Sequence, residues 1–218
     1  MSTDVLYQLM STQRAIRRLR PDPIPNDVLQ RIMQAAAWAP TGGNRQPWRM
    51  VMVHDRASKE RMGELYSVRW NNFTKIYRTR FDEAPEEERL KAERTIAAGD
   101  RLAAGFGDVP VVAVVCFNPT FMAVTDSGQD RVSVVGGGSV YTAVQNLMLA
   151  CRAEGVGCVL TTLLCMDEPA VREMLGIDAD WYTAAHVPMG YPVAGGYGPI
   201  ARMPVSELFF KDAWGEPI

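Results

Sequence analysis

Two segments with the pattern of buried strands are separated by nearly 50 residues of helical pattern, and this spacing constrains the fold most. Residues 48–54 (WRMVMVH) and 109–117 (VPVVAVVCF) are short apolar runs rich in β-branched side chains. Regular alternation of helices and strands favours a parallel doubly wound sheet, whose connections are short. The long helical insert, from Lys59 to about Gly105, predicts instead an α+β fold in which helices flank a mixed sheet.

The other elements follow from periodicity and from the residues that interrupt it. Helices are predicted at residues 26–38, 139–153 and 167–175, and strands at 158–164 and 182–189. The second of these helices has its apolar residues on one stripe, at Val140, Val144, Leu147 and Cys151. Because no linker or internal repeat divides the chain, residues 1–218 are expected to form one domain.

Charge and hydropathy exclude several kinds of partner. The chain has 23 basic and 25 acidic residues, so it has no net positive charge that would attract nucleic acid. Residues 132–151 carry no charge and are long enough to span a bilayer, but three glycines and several polar residues favour a turn followed by a buried helix. The N-terminus lacks a signal-peptide pattern, so we expect a cytoplasmic protein with a small-molecule partner and no membrane partner.

The cysteines and histidines do not have the spacing of a metal site. The four cysteines, Cys116, Cys151, Cys158 and Cys165, include no C-x-x-C pair, and no histidines complete a zinc site. We therefore expect no metal and interpret the cysteines as buried reduced thiols. His54 and His186 lie in apolar stretches and are interpreted as structural histidines with satisfied hydrogen bonds.

Four arginines lie within seven residues near the N-terminus, at Arg14, Arg17, Arg18 and Arg20. Arginine forks match phosphate oxygens, and residues three apart share a face, so Arg14 and Arg17 can meet one phosphate. The alternative is a solvated basic surface, which is what a charge run usually forms.

A second unusual segment, APTGGNRQPW at residues 39–48, lies between a predicted helix and a predicted strand. Gly42 and Gly43 allow the backbone to approach a ligand closely. Thr41, Asn44 and Gln46 offer uncharged donors and acceptors that suit phosphate, hydroxyl groups or heteroaromatic edges. The alternative is a polar turn beside a structural tryptophan.

Together these segments resemble the N-terminal signature of the FMN-dependent nitroreductase family. The matching residues are 12–19 (TQRAIRRL), 21–25 (PDPIP) and 39–48, followed by 145–150 (QNLMLA), 155–157 (GVG), 189–192 (MGYP) and Arg202. The likeness spans nearly the whole chain and is weakest between Arg56 and Gly107.

The resemblance implies an intertwined α+β homodimer with FMN at the subunit interface. By position, Arg14, Ala15 and Arg17 would bind the flavin, with the arginines at the phosphate and the pyrimidine edge, and Arg202 would approach the phosphate. The remaining flavin contacts would come from Thr41, Gly42, Gly43, Asn44 and Gln46 of the partner and from the backbone of Thr161, Thr162, Leu163 and Leu164. The chemistry would belong to the cofactor, without a catalytic side chain.

One departure from the family pattern affects the cofactor. The family usually has Arg-Arg-Ser where this chain has Gln13, Arg14 and Ala15, so one guanidinium and one hydroxyl are missing. FMN and another flavin-like cofactor therefore both remain open.

The implied activity is hydride transfer from NADH or NADPH through the flavin to a nitroaromatic, quinone or similar acceptor. The alternatives are a specialised branch, such as reductive dehalogenation or flavin fragmentation, and a non-catalytic flavin or deazaflavin binder. Aromatic residues recur at helical spacing at Tyr66, Trp70, Phe73 and Tyr77. Trp70, Phe73 and Tyr77 are candidates for the substrate pocket, with core or dimer packing as the alternative.

Overall fold

A computed structural model describes residues 3–81, 84–193 and 195–218. The α-helices are α1 (Thr3–Thr12), α2 (Asn26–Ala37), α3 (Arg56–Phe81), α4 (Glu86–Gly105), α5 (Gly138–Ala153), α6 (Glu168–Leu175) and α7 (Val205–Leu208). The strands are β1 (Trp48–Val53), β2 (Val111–Phe117), β3 (Gly157–Cys158) and β4 (Tyr182–Gly190). None of these described helices is long and apolar enough to cross a membrane.

The four strands form one sheet in the order β1-β2-β4-β3. Val53 at the end of β1 pairs with Val112 at the start of β2, so the intervening α3 and α4, which pack on each other, return the chain to the end of the sheet that it left. The predicted α+β class is confirmed. The three pairings between these strands are antiparallel, which differs from the expected mixed sheet.

Strand β2 is the centre of the core, and its two faces pack on different helices. Val111, Ala113 and Val115 lie in a cluster with α2 and α5. Val112 and Val114, on the opposite face, lie in a second cluster with residues of α3 and α4. Burying a valine of this kind contributes about 1.5–3 kcal/mol. The predicted stripe on α5 is confirmed, because Val140, Val144, Leu147 and Cys151 are all buried in the first cluster.

The predicted strand at residues 158–164 is mostly wrong. Only Gly157–Cys158 forms a strand, and Thr161 adds a single bridge to His186. The chain then turns into a short 3-10 helix, Leu163–Asp167. Helix α1 was not predicted, because its larger apolar side chains, including Val5 and Met10, are exposed in one chain and give no core-facing pattern.

The interpretation of both histidines as satisfied structural residues is also wrong. His54 is exposed. His186 on β4 is fully buried, and neither of its ring nitrogens has a hydrogen-bond partner in the described structure. Burial lowers the pKa of His186 to about 4, since a charged imidazole is unfavourable in an apolar interior. The cysteines are free thiols as predicted; Cys116, Cys151 and Cys158 are buried, and Cys165 is partly exposed.

Candidate functional site

The arginine segment, residues 14–20, is held against the sheet by its backbone and its apolar residues. Ile16 N donates to Cys158 O at 2.9 Å, and Arg20 N donates to Tyr191 O at 2.7 Å. A Cβ on Gly157 would lie 2.9 Å from Ile16 and 2.8 Å from Leu19, so only glycine allows this close approach. With Ile16 buried against the sheet, the neighbouring arginines are left free to face a cavity.

We call this space the arginine cavity. It has a volume of about 440 Å³ and is lined by Arg14, Ala15, Ile16, Arg17, Arg18, Ala98, Gly195, Gly196 and Tyr197. Arg14, Arg17 and Arg18 form no ion pair with any residue that the structure describes. Unpaired guanidinium groups around a concave surface favour an anion such as a phosphate.

Tyr197 forms one wall of the arginine cavity. It was not predicted from the sequence as a site residue. Its hydroxyl donates to Val156 O, and the guanidinium of Arg152 lies 4.6 Å from its ring centre. Burial raises the pKa of Tyr197, so the phenol stays neutral. A cationic residue stacked on a ring and a phenol bonded to a carbonyl together hold this wall in place.

Arg202 is not among the residues that line the arginine cavity. Its Nη1 donates to the neighbouring Ala201 O at 2.7 Å. The segment before it does approach the arginines, because Ile200 N donates to Ser11 O at 3.3 Å and a Cβ on Gly198 would lie 3.9 Å from Arg14 Nη1.

A second space, the aromatic cavity, shares the lining residue Arg17 with the arginine cavity. Its volume is about 460 Å³, and its lining consists of Arg17, Trp70, Phe73, Thr74, Glu88, Lys91, Ala92, Thr95 and Ile96. Trp70 is fixed by its Nε1, which donates to Asp100 Oδ1 at 2.8 Å. Trp70 and Phe73 therefore line a cavity, whereas Tyr66 is buried in the core. The side chain of Tyr77 lies outside the described residues.

Glu88 and Lys91 are site residues that sequence reasoning missed. They belong to the charged run at residues 81–94, which is typical of a solvated helix face. The packing of α4 on α3 turns this part of the face toward Trp70. The signal that would have found them is the aromatic series on α3, because a helix paired with it must border the same space.

The segment with Thr161, Thr162, Leu163 and Leu164 is fixed at both ends. Thr161 exchanges two backbone hydrogen bonds with His186, at 2.9 and 2.8 Å, and Leu164 is fully buried. Thr162 is exposed and lines a third cavity of about 360 Å³ with Tyr141, Cys165 and Thr183 among its other residues. The run thus presents backbone groups near a concave surface.

The loop at residues 41–46 does not line the arginine cavity of its own chain. Gly42 N donates to Ser139 Oγ at 3.0 Å, and Gln46 N donates to Thr41 Oγ1 at 3.1 Å. Gly43, Asn44 and Gln46 have positive φ values of 58°, 54° and 49°, which is rare for residues with a side chain. None of these six residues lines the arginine cavity, so one chain does not bring the two sequence motifs together.

The side chains that most often bind metal ions do not cluster in the described part of the chain. The described residues contain no group of three or more histidine, cysteine, aspartate and glutamate side chains that could hold a metal ion. The two cavities that Arg17 lines offer guanidinium groups, aromatic faces, one acidic side chain and one lysine, which suit an anionic cofactor and a flat aromatic molecule.

Comparison with known proteins agrees with the resemblance seen in the sequence. An NADH dehydrogenase of Thermus thermophilus is 31% identical over 205 residues, which cover 90% of each chain. A 5,6-dimethylbenzimidazole synthase of Rhodospirillum rubrum is 31% identical over 195 residues, covering 87% of this chain and 82% of that protein. The crystal structure of iodotyrosine deiodinase bound to FMN and 3-iodo-L-tyrosine has a TM-score of 0.67 and 20% identity, covering 95% of this chain and 98% of that chain.

The sequence pattern of the nitroreductase family matches residues 10–191. This match includes the arginine segment, the glycine-asparagine loop at residues 41–46, helix α3 with its aromatic residues, and the central strands β2 and β4. Because it covers most of the 218 residues, the chain belongs to the nitroreductase family.

Proposed function

We propose that this protein is an FMN-dependent oxidoreductase that takes hydride from NADH or NADPH and passes electrons to a nitroaromatic, quinone or similar acceptor. The observation that carries the proposal is that Arg17 lines two cavities, one with further unpaired arginines and one with aromatic rings. A phosphate-bearing cofactor suits the first cavity, and a flat acceptor suits the second.

The arginines of the arginine cavity suit the negative charge of FMN. Arg14 would hold the phosphate, and Arg202 would approach it from the C-terminal segment, in which Ile200 N already donates to Ser11 O. Arg17, between the two cavities, would face the pyrimidine edge, where a guanidinium stabilises the negative charge of the reduced flavin. Gln13 and Ala15 supply no charged donor, so the phosphate would depend on fewer contacts.

When bound, FMN supplies the hydride and electron transfer, and the protein binds, orients and excludes water. Trp70 and Phe73 present apolar faces that hold an acceptor flat and keep water out. The backbone of Thr162 and Leu163 would pass along the flavin ring. No proton-transfer side chain is needed for this assignment of roles.

We further propose that the active form is a homodimer. The loop at residues 41–46 lies away from the arginine cavity of its own chain, and a second copy would bring it to the flavin. Apolar side chains on α1, such as Val5 and Met10, and Phe209 and Trp214 near the C-terminus are exposed in one chain. A second copy that covers them would remove this apolar surface from water.

Reductive dehalogenation of an aromatic amino acid is the second candidate function. One observation favours it: Glu88 and Lys91 line the aromatic cavity beside Trp70 and Phe73. One acidic and one basic side chain beside aromatic faces match an ammonium, a carboxylate and a ring in one molecule. The solved iodotyrosine deiodinase, a structure of similar fold, holds 3-iodo-L-tyrosine.

An absorption spectrum of the purified protein, followed by anaerobic addition of NADH or NADPH and then an acceptor, tests the proposal. We expect bound flavin that bleaches with the nicotinamide and recovers its colour with a nitroaromatic or a quinone. Iodide release from 3-iodotyrosine under reducing conditions would instead support the second candidate. Bound flavin that neither donor bleaches, with no turnover of any acceptor, would contradict both and leave a flavin-binding protein.

A further inference from the structure

Three sulfur atoms from three different elements meet in the core beneath the arginine segment. Cys151 Sγ at the end of α5 lies 3.5 Å from Met189 Sδ on β4. Cys158 is the neighbour that most strongly raises the pKa of the Cys151 thiol, so these two side chains lie close together. Cys158 and Met189 are direct cross-strand partners between β3 and β4, so their side chains lie on the same face of the sheet. We call these residues the sulfur cluster.

The sulfur cluster is fully buried, with 0% exposure for each of the three side chains. Cysteine and methionine often serve in cores as ordinary apolar residues, and in that role they need not contact one another. Here all three converge, and two thiols with one thioether form a soft ligand set that selects Cu(I) over harder cations. A trigonal metal with bonds of about 2.3 Å separates its sulfur ligands by about 4 Å, so the observed spacing needs only a slight expansion.

We propose that Cys151, Cys158 and Met189 form a binding site for the soft monovalent cation Cu(I). Binding forms two metal–thiolate bonds and one metal–thioether bond and releases the two thiol protons. No electron is transferred, and the metal remains monovalent. The site then carries one net negative charge.

Arg152 follows Cys151 directly, and its guanidinium stacks on Tyr197, which is close enough to both thiols to interact with them electrostatically. In the metal-free protein, the contact with Cys158 and burial raise the pKa of Cys151, so a bound metal must displace the proton of this thiol.

Tyr197 also provides the entry path. It lines the arginine cavity and lies beside the sulfur cluster, so it separates the two. Gly195 and Gly196 precede it with φ values of 71° and 55°, and glycine can change such a conformation at low cost. Outward rotation of Tyr197 would break its hydrogen bond to Val156 O and its contact with the Arg152 guanidinium, and it would open the thiols to a metal donor.

Competition for Cu(I) tests the site. The full-length protein, reduced and kept anaerobic, is titrated against Cu(I) held by a chromophoric chelator. We expect one equivalent to move to the protein. Met189→Leu keeps the volume of the side chain but removes the thioether ligand. We expect it to lower the affinity for Cu(I) at least about tenfold, which is the size of loss seen when groups around a bound metal are changed. Cys158→Ala is expected to abolish transfer.

Two matched variants control for unspecific thiol binding. Cys116→Ala removes a buried thiol from the other core cluster, and Cys165→Ala removes the most exposed thiol; both should keep the parent affinity. Zn²⁺, which takes four ligands in structural sites, should not displace Cu(I). The proposal would be overturned if the parent took no Cu(I) from the chelator, or if Cys158→Ala still took it. Loss of Cu(I) binding in Cys165→Ala, or an unchanged Cu(I) affinity in a folded Met189→Leu variant, would overturn it as well.

Discussion

Arg69 and Asp167, 98 positions apart in the chain, form an ion pair with two hydrogen bonds, from Arg69 Nε to Asp167 Oδ2 at 2.7 Å and from Nη2 to Oδ1 at 2.6 Å. Arg69 precedes Trp70 on α3, and Asp167 ends the 3-10 helix that follows Thr162. The pair therefore sets the distance between the aromatic cavity and the segment proposed to border the flavin.

Asp167→Asn should loosen this connection without a change in side-chain size. We expect a raised KM for the acceptor with flavin still bound, because the two walls of the site lose a charged, bidentate contact. Glu64→Gln, which breaks an exposed pair with Arg61 on the same helix, is the matched control. Steady-state kinetics on both variants check this, and an equal KM in the two would contradict the positioning role.

The same pair has a pH dependence with a definite sign. Arg69 holds the pKa of Asp167 below its usual value, so the pair stabilises the native state at neutral pH and this contribution is lost as the pH falls through the acidic range. Urea unfolding of the parent and of Asp167→Asn should converge as the pH is lowered toward the pKa of the aspartate. A difference that stays constant with pH would argue against an ionised pair.

His186 should make the protein less stable below neutral pH. Its pKa is lowered to about 4 from an ordinary 6.5, so between these values the unfolded chain binds a proton that the native state does not. Stability should therefore fall as the pH drops from about 6.5 to 4, by up to about 3 kcal/mol. Urea unfolding at several pH values measures this.

His186→Leu should flatten that dependence, because it removes the titrating group and two unpartnered nitrogens. His54→Gln, at an exposed position, should leave it unchanged. If His186→Leu retains the slope of the parent, then another group is responsible for it.

Gly99→Ala should disturb the aromatic cavity through Trp70. A Cβ on Gly99 would overlap the indole ring of Trp70, so the ring must move or the helices must separate, at a cost of about 1–3 kcal/mol. Tryptophan fluorescence and the melting temperature both report this. Gly105→Ala, on the same helix with nothing near its added methyl group, is the control and should be neutral or slightly stabilising. Equal melting temperatures for the two variants would contradict the packing.

Arg14→Ala should weaken FMN binding by about 1.5–3 kcal/mol, or roughly 10- to 100-fold in Kd, since it removes a charge-assisted bond to the phosphate. Arg20→Ala is the matched control, because Arg20 is paired with Asp22 and does not line the arginine cavity. Flavin fluorescence titration of the apoprotein measures both. Equal affinities for the two variants would place the phosphate elsewhere.

Several parts of the structure were predictable from the sequence because they depend on local pattern or on residue identity. The apolar run of β2 and the stripe on α5 follow from periodicities of two and 3.6 residues. The arginine segment and the glycine-asparagine loop identified the family, because their residue types and order are unusual. Helix α1 was not predicted, because its apolar side chains are exposed in one chain and show no core-facing pattern.

The assembly of the site depended on tertiary structure, because cavities form between elements that are distant in sequence. How α4 packs on α3, and where the arginine segment crosses β3, decide that Arg17 lines both cavities and that Glu88 and Lys91 line one of them. Thr161 is held by a single bridge to His186, which no local propensity encodes. Local periodicity determined which residues of this chain are buried, whereas long-range packing decided which of the remaining residues share a site.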